Sequence, residues 1–395
     1  MASPPKTGPE RSTAAAGKWI ETTLGIIYVI GENVQFYDDH DHWRNGFCRL
    51  LEIPEAQART FVEQAVASAR ENFGKLFSDL DCNEKLACLS QATERTLYRG
   101  ERPSGSNIEP SWGADPDGTP ADCIYAYTIS GDRTRIVAGV RAKEYAWLVD
   151  AANNKPVTAD SIVYDTAYFS ASGDAHYGMK HYIDHAGWRL EKARRLMGTV
   201  IEQTQDKRPL WRKHPQSVKL LDIGSGIGYY RKAADELGFQ HYGIDLSSDI
   251  IALCKAQFGF DTWQCHLMDL EKVAAGMRVH LITLWDVIEH LEKPREAVAL
   301  LKQYLADDGA IVIRTPNLSA LDADILGDYY YSFKFDHVRY FSVKSLNALM
   351  SDLSLAPLYL ETASHLFKGF LGADALYKAG LRMKGADILA IYEKS

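Results

Sequence analysis

The second half of this 395-residue sequence predicts an α/β fold with a mostly parallel sheet, and three observations support it. Short apolar runs alternate with amphipathic stretches from Val218 onward. A glycine-rich turn joins the first run to the first helix. Successive runs end in acids. Alternation of this kind puts parallel strands side by side with helices packed on both faces.

The strands expected are "VKLLDI", "HYGIDL", "TWQCHLM", "HLITLW" and "AIVIRT", followed by "APLYLETAS" and "ADILAIYEK". Together they make a seven-stranded sheet. "YYRKAADEL" reads as a helix closed by Gly238, and "SDIIALCKAQF" as one entered through Ser247 or Ser248. "PREAVALLKQYL" is opened by Pro294 and stopped by Gly309, and "VKSLNALMSDL" is the last helix. "HLFKGFLGADALYKAGLRMKG" reads as an insertion between the two final strands.

The first half predicts an accessory α+β domain over residues 18–160, after a disordered tail at 1–17 and ahead of the sheet domain at 161–395. "WIETTLGIIYVIGENVQFY" fits a helix or a strand pair, since its periodicity does not decide. In the helix that begins at Pro54, residues Phe61, Ala65, Ala69, Phe73 and Phe77 form one apolar face. "NEKLACLSQATERTLYR" is a second helix, and the Pro- and Gly-rich stretch after it is a long loop. "CIYAYTISGDRTRIVAGVRAKEYAWLVD" is a hairpin or meander.

Composition narrows the function. A net charge of −8 disfavours a nucleic-acid partner. The apolar run "LGIIYVIG" is too short to span a bilayer, which needs about 20 residues. The start has no signal-peptide core. Six scattered cysteines without a C-x-x-C pair fit buried, reduced thiols. A cytoplasmic protein is expected.

"LLDIGSGIGYY" fails the dinucleotide fingerprint, because Tyr229 stands where the third glycine is required. The pattern is instead D-x-G-x-G-x-G through Asp222, Gly224, Gly226 and Gly228. It is followed by Asp245 in "YGIDLS", Asp269 in "HLMDLE", and "LITLWDVIEHLEKP". This order resembles the class I S-adenosylmethionine-dependent methyltransferases, in particular the small-molecule branch of ubiquinone-pathway, natural-product and sugar enzymes. The resemblance runs from about Tyr164 to the C-terminus and implies a Rossmann-like fold and S-adenosylmethionine as cofactor. It places Asp222 near the cofactor's ammonium and the amides around Gly224, Ser225, Gly226 and Gly228 near its carboxylate. Asp245 with Leu246 would hold the ribose, and Asp269 with Leu270 would border the adenine. Trp285 and Asp286 would flank the cofactor, and Tyr168 and Tyr177 would fold over it from the aromatic segment before the first strand. Phe169 and Tyr182 are further candidates there.

A hydroxyl or carbon acceptor must lose a proton, so a base is needed. His290 and Glu289 in "DVIEH" and His337 in "FDHVRYF" are the candidates. "DVIEH" also resembles the E-x-x-E-H of ubiquinone-pathway O-methyltransferases, whose positions can bind a divalent cation. No metal is assigned here, nor to the polar run from Asp38 to His42. No N/D-P-P-Y/F segment follows the fourth strand, against amino methyltransferases of DNA bases or protein glutamine. The expectation is methyl transfer to an oxygen or carbon of a small organic acceptor in a biosynthetic pathway, with no membrane or nucleic-acid partner. The alternatives are a cyclase or decarboxylase using the same cofactor, and a non-catalytic cofactor-binding scaffold. The N-terminal domain would be a substrate lid or a homodimer interface.

Overall fold

The structure is a computed structural model. It describes residues 185–320, 336–363 and 383–395 continuously. Outside these it describes the strands named below, residues 55–76, and scattered positions that include Tyr164, Tyr168, Phe169, Ser332 and Lys334. The tail at 1–17, the polar run 38–42, Tyr177, Tyr182 and nearly all of the insertion at 365–385 lie outside the described residues.

Contacts group the chain into two units, 1–102 with 368–372, and 103–367 with 373–395. The first contains a meander of β1 (Lys18–Thr22), β2 (Gly25–Ile30) and β3 (Asn33–Tyr37). The stretch open to helix or strand is therefore three antiparallel strands. Helix α1 (Glu55–Phe73) ends at Gly74, whose φ of 62° suits a residue without Cβ. Ala65 and Ala69 on its expected apolar face are fully buried. The residues described between Glu84 and Arg95 are helical, and Cys88 and Ala92 there are buried.

In the second unit, β4 (Asp122–Thr128), β5 (Ile136–Arg141), β6 (Ala146–Asp150) and β7 (Lys155–Pro156) form the expected meander. The main sheet follows after α2 (Ala186–Thr204) and α3 (Pro209–Lys213). Its strands are β8 (Lys219–Ile223), β9 (Gln240–Asp245), β10 (Trp263–Gln264), β11 (Val279–Trp285), β12 (Leu305–Pro316), β14 (Leu355–Ala363) and β15 (Asp387–Lys394). They lie in the order β10-β9-β8-β11-β12-β15-β14; β15 pairs antiparallel with both β12 and β14, and the other pairs are parallel. Neighbours along a strand point to opposite faces, yet Leu220 and Leu221, and Ile311, Val312 and Ile313, are all fully buried. Both faces are therefore covered, as in the Rossmann-like class.

Helices α4 (Tyr229–Glu236), α5 (Ser248–Phe258), α6 (Glu271–Ala274), α7 (Pro294–Tyr304) and α8 (Val343–Asp352) join these strands. Ser247 caps α5 by accepting from the Ile250 amide, and Ser342 forms a capping box with Ser345. Two sequence expectations are corrected. Helix α7 stops at Tyr304 and Gly309 lies inside β12, since the apolar strand pairing with β11 begins at Leu305. "TWQCHLM" makes only two strand residues before turning into a 3-10 helix at Leu267–Asp269, because its chain is an edge with one neighbour, β9. Strand β13 (Arg339–Tyr340) pairs antiparallel with β6, tying the loop after β12 to the meander. Cys88 and Cys254 are buried free thiols and Cys265 is a half-buried one. Among the described residues no helix is long and apolar enough to cross a membrane.

Candidate functional site

The chain leaves β8 toward β9 on one side and returns to β11 on the other, so a crevice opens beyond the carboxyl ends of β8 and β11. The glycine turn sits there. Gly224, Gly226 and Gly228 have φ of 61°, 55° and 91°. A Cβ on Gly224 would stand 2.8 Å from Val287 Cγ2, and one on Gly228 would stand 2.8 Å from Cys254 Sγ. Backbone strain and close approach both demand glycine. Three amides of the turn already donate within the protein: Ser225 to Ile244 O at 2.9 Å, Gly226 to Asp245 Oδ2 at 2.8 Å, and Gly228 to Ser225 O at 3.0 Å.

The crevice opens into a cavity of about 800 Å³, large enough for a nucleoside-sized ligand and a second small molecule. Of the residues singled out from the sequence, Tyr168, Phe169, Asp222, Gly224, Ser225, Gly226, Asp245, Leu246, Trp285, Asp286 and His290 line it. Asp222, at the end of β8, accepts from Thr283 Oγ1 at 2.6 Å through Oδ1. Its Oδ2 and the Ser225 hydroxyl are buried and make no close hydrogen bond, while Ser225 and the Arg231 guanidinium both face the carboxylate. Burial pushes Asp222 up to about 7. Asp245 ends β9; its Oδ1 accepts from the Ser247 amide at 2.9 Å and its Oδ2 from Gly226. Burial raises it despite those amide donors. Leu246 and Met268 are apolar side chains, each 48% exposed, on the same wall. Trp285 stacks on Tyr230 with centroids 4.1 Å apart and planes 5° apart.

Three expected cofactor residues are not on the wall. Gly228 sits behind the turn as the cap of α4. Leu270 is fully buried in the core beneath the sheet edge. Asp269 points away and pairs with Lys272 at 2.7 Å, an (i, i+3) partner one helical turn on. That hydrogen bond holds Asp269 below its usual range. His266, Leu267 and Met268 form the wall there instead.

The three candidate catalytic side chains lie together: Glu289, His290 and His337 each offer an atom within 4.8 Å of the others. Only His290 lines the cavity. Its Nδ1 lies 2.7 Å from the carbonyl of Asp336. A carbonyl only accepts, so Nδ1 carries the hydrogen and Nε2 keeps the lone pair. His337 packs behind it, ring centroids 4.9 Å apart, with Nδ1 held by Ser332 O at 2.8 Å. Burial drives His337 down to about 3. Glu289 is buried; Oε2 accepts from Thr315 at 3.0 Å and Oε1 has no partner. Burial, then the charge of Asp286, raise it well above the usual carboxylate range. Asp286 itself, at φ 57°, is bound to Arg314, which also binds Asp387. Asp286 is thus engaged by Arg314, and the ligand-type side chains that lie together are Glu289, His290 and His337.

Several residues here escaped the sequence reading. Asp336 is buried and accepts from the Tyr168 hydroxyl. Burial alone would raise it, but His337, His290 and Lys334 outweigh that and hold it below its usual range. Arg314 is the buried centre of two ion pairs. Arg189 and Lys192 of α2 line the cavity. The aspartate stands directly before His337 in "FDHVRYF", and Arg189 and Lys192 belong to the basic run "RLEKARR", whose sequence reads as solvated helix surface but which places these two on the cavity wall.

The family model described as a methyltransferase domain matches residues 190–359. Among solved structures, an S-adenosylmethionine-dependent methyltransferase from Archaeoglobus fulgidus is similar at 18% identity over 50% of this chain and 94% of its own, with a TM-score of 0.38. The plantazolicin methyltransferase BpumL, in complex with SAH, is similar at 15% identity over 51% and 90%, TM-score 0.34. An S-adenosylmethionine-dependent methyltransferase from Mesorhizobium loti follows at 16% identity over 45% and 91%, TM-score 0.32. No curated protein matches the sequence.

Proposed function

We propose that this chain, whose residues 190–359 match a family model described as a methyltransferase domain, uses S-adenosylmethionine to methylate an oxygen or carbon of a small organic acceptor. The observation that supports it most is the buried Oδ2 of Asp222, which makes no close hydrogen bond, beside a glycine turn and an amide-braced Asp245, all on one cavity. An ammonium suits such an oxygen. A pair of ribose hydroxyls suits the remaining lone pairs of Asp245. Leu246 and Met268 offer apolar contact to a flat base. The residues therefore fit the cofactor.

When bound, the cofactor supplies an electrophilic methyl on a sulfonium. The chain's own residues orient the partners and move a proton. His290 Nε2 takes the proton from the acceptor, while its Nδ1–H stays on the Asp336 carbonyl. The Asp336 carboxylate, 4.0 Å from that Nδ1, stabilises the imidazolium that forms. His337 and Glu289 back His290 from behind the wall. Tyr168, which donates to Asp336, lines the same cavity.

The test is calorimetric titration with S-adenosylmethionine, S-adenosylhomocysteine and NAD. The first two should bind and NAD should not. Asp245→Ala should weaken binding roughly 100-fold, the loss of two hydrogen bonds to a charged group. Once a mass gain of one methyl identifies an acceptor, His290→Gln should slow transfer about 100-fold with unchanged S-adenosylhomocysteine affinity. Binding of NAD alone, or full turnover in the His290 variant, refutes the corresponding part.

A further inference from the structure

One residue of the cavity wall has a backbone that suits glycine but carries a side chain. Asp286 has φ 57°, in the left-handed region, and lines the cavity together with Trp285 and Val287. A side chain in that conformation persists only where its surroundings hold it. The hold comes from Arg314 on β12. Its carbonyl accepts from the Asp286 amide at 2.8 Å, and its guanidinium donates to the Asp286 carboxylate. The same guanidinium donates to Asp387, so one buried fork joins the end of β11 to the start of β15. Arg314 itself is buried behind the wall.

The conformation of Asp286 sets the path of the residues that follow. Val287 closes on the glycine turn, so tightly that a Cβ on Gly224 would stand 2.8 Å from its Cγ2. Ile288–His290 then make a 3-10 turn that brings His290 to the wall. A return of Asp286 to negative φ would redirect both. A buried ion pair is by itself weak evidence for stability. Here it coincides with the strained residue that shapes the cavity.

We propose, resting on the reading above, that Arg314 is a positioning residue for the cofactor cavity: it clamps Asp286 in the left-handed conformation that seats Val287 on the glycine turn and His290 on the wall.

The test compares side chains that differ in what they need at position 286. S-Adenosylhomocysteine is titrated calorimetrically into the full chain, into Asp286→Ala, Asp286→Gly and Arg314→Met, and into the double variant of Arg314→Met with Asp286→Gly. Alanine keeps the backbone strain and gives Arg314 nothing to hold. Glycine adopts the conformation without a clamp. Asp286→Ala and Arg314→Met should each bind about 10-fold more weakly than the parent. Asp286→Gly should bind more tightly than Asp286→Ala, and the double variant should recover most of what Arg314→Met loses. Once an acceptor is known, turnover should recover in the double variant as well. Should Arg314→Met fail to fold, Arg314→Lys, with one ammonium for two acids, replaces it in the same comparison. Equal losses in Asp286→Ala and Asp286→Gly would mean that the carboxylate meets the ligand directly. No recovery in the double variant would mean that Arg314 does not act through this turn. Either result overturns the proposal while the cofactor reading stands. If the unaltered chain binds neither S-adenosylmethionine nor S-adenosylhomocysteine, the cofactor reading falls and this inference with it.

Discussion

A single carboxylate shows how the site trades stability for binding. Asp222 is 1% exposed, and burial raises it from 3.8 to about 7. In the unfolded chain it ionises near its ordinary value, so between about pH 4 and 7 the folded state holds the extra proton. Stability without ligand therefore falls as pH rises through that window, and above about 7 the full cost, roughly 4 kcal/mol at most, is present. Asp222→Asn keeps an oxygen to accept from Thr283 and removes the buried charge. At pH 8 the free variant should be more stable than the parent by roughly 1–4 kcal/mol in urea unfolding. Its S-adenosylhomocysteine affinity should fall at least about 10-fold, because the ammonium loses its counter-charge. A variant that is less stable without ligand would mean that Oδ2 has a partner in the fold.

Among the elements, the glycine turn tests whether strain or crowding sets the need for glycine. Gly224 and Gly276 have nearly the same backbone, φ 61° and 69°, but only Gly224 has a side chain within reach of an added Cβ. Left-handed strain alone costs about 1–3 kcal/mol and is common to both. Gly224→Ala should therefore lower the melting temperature more than Gly276→Ala, and only Gly224→Ala should weaken S-adenosylhomocysteine binding, since Val287 must move into the cavity wall. Equal effects on both measures would reduce the turn to a conformational requirement. The turn was legible because it is local: three glycines, an acid before them and an acid at the next strand end lie within one β-α-β unit. The seven strands were legible for the same reason, through apolar runs separated by helices such as the one entered at Ser247, whereas the capping box at Ser342 was not singled out. What the local pattern could not carry is where distant elements meet. Asp269 looked like a ligand residue by its place after a strand, but a lysine three residues on captures it. Asp286 looked available until Arg314, from another strand, bound it. Nothing in the helical periodicity of α2 indicates that Arg189 and Lys192 face a cavity, and the β6 pairing of β13 joins segments almost 200 residues apart.

Across the whole molecule, opposite charges on the wall of one cavity predict how binding depends on pH. The free protein holds Asp222 at about 7 and Lys192 at about 8. The groups facing Asp222 are Thr283, Arg231, Ser225 and Asp245; those facing Lys192 are Arg314, Asp286, Asp387 and Arg189. An ammonium ligand prefers ionised Asp222, so affinity falls as pH drops below about 7. A carboxylate ligand prefers charged Lys192, so affinity falls as pH rises above about 8. S-adenosylhomocysteine, which has both groups, should bind most tightly in the narrow interval between them. 5′-Methylthioadenosine, which has neither, should show almost no such profile. Asp222→Asn should erase the acid limb alone and Lys192→Met the basic limb alone, which separates the protein's titrations from that of the ligand's own amine. A profile for S-adenosylhomocysteine as flat as that for 5′-methylthioadenosine would mean that the amino-acid end of the ligand is recognised by neither charge, and the polarity assigned to the cavity would have to be redrawn.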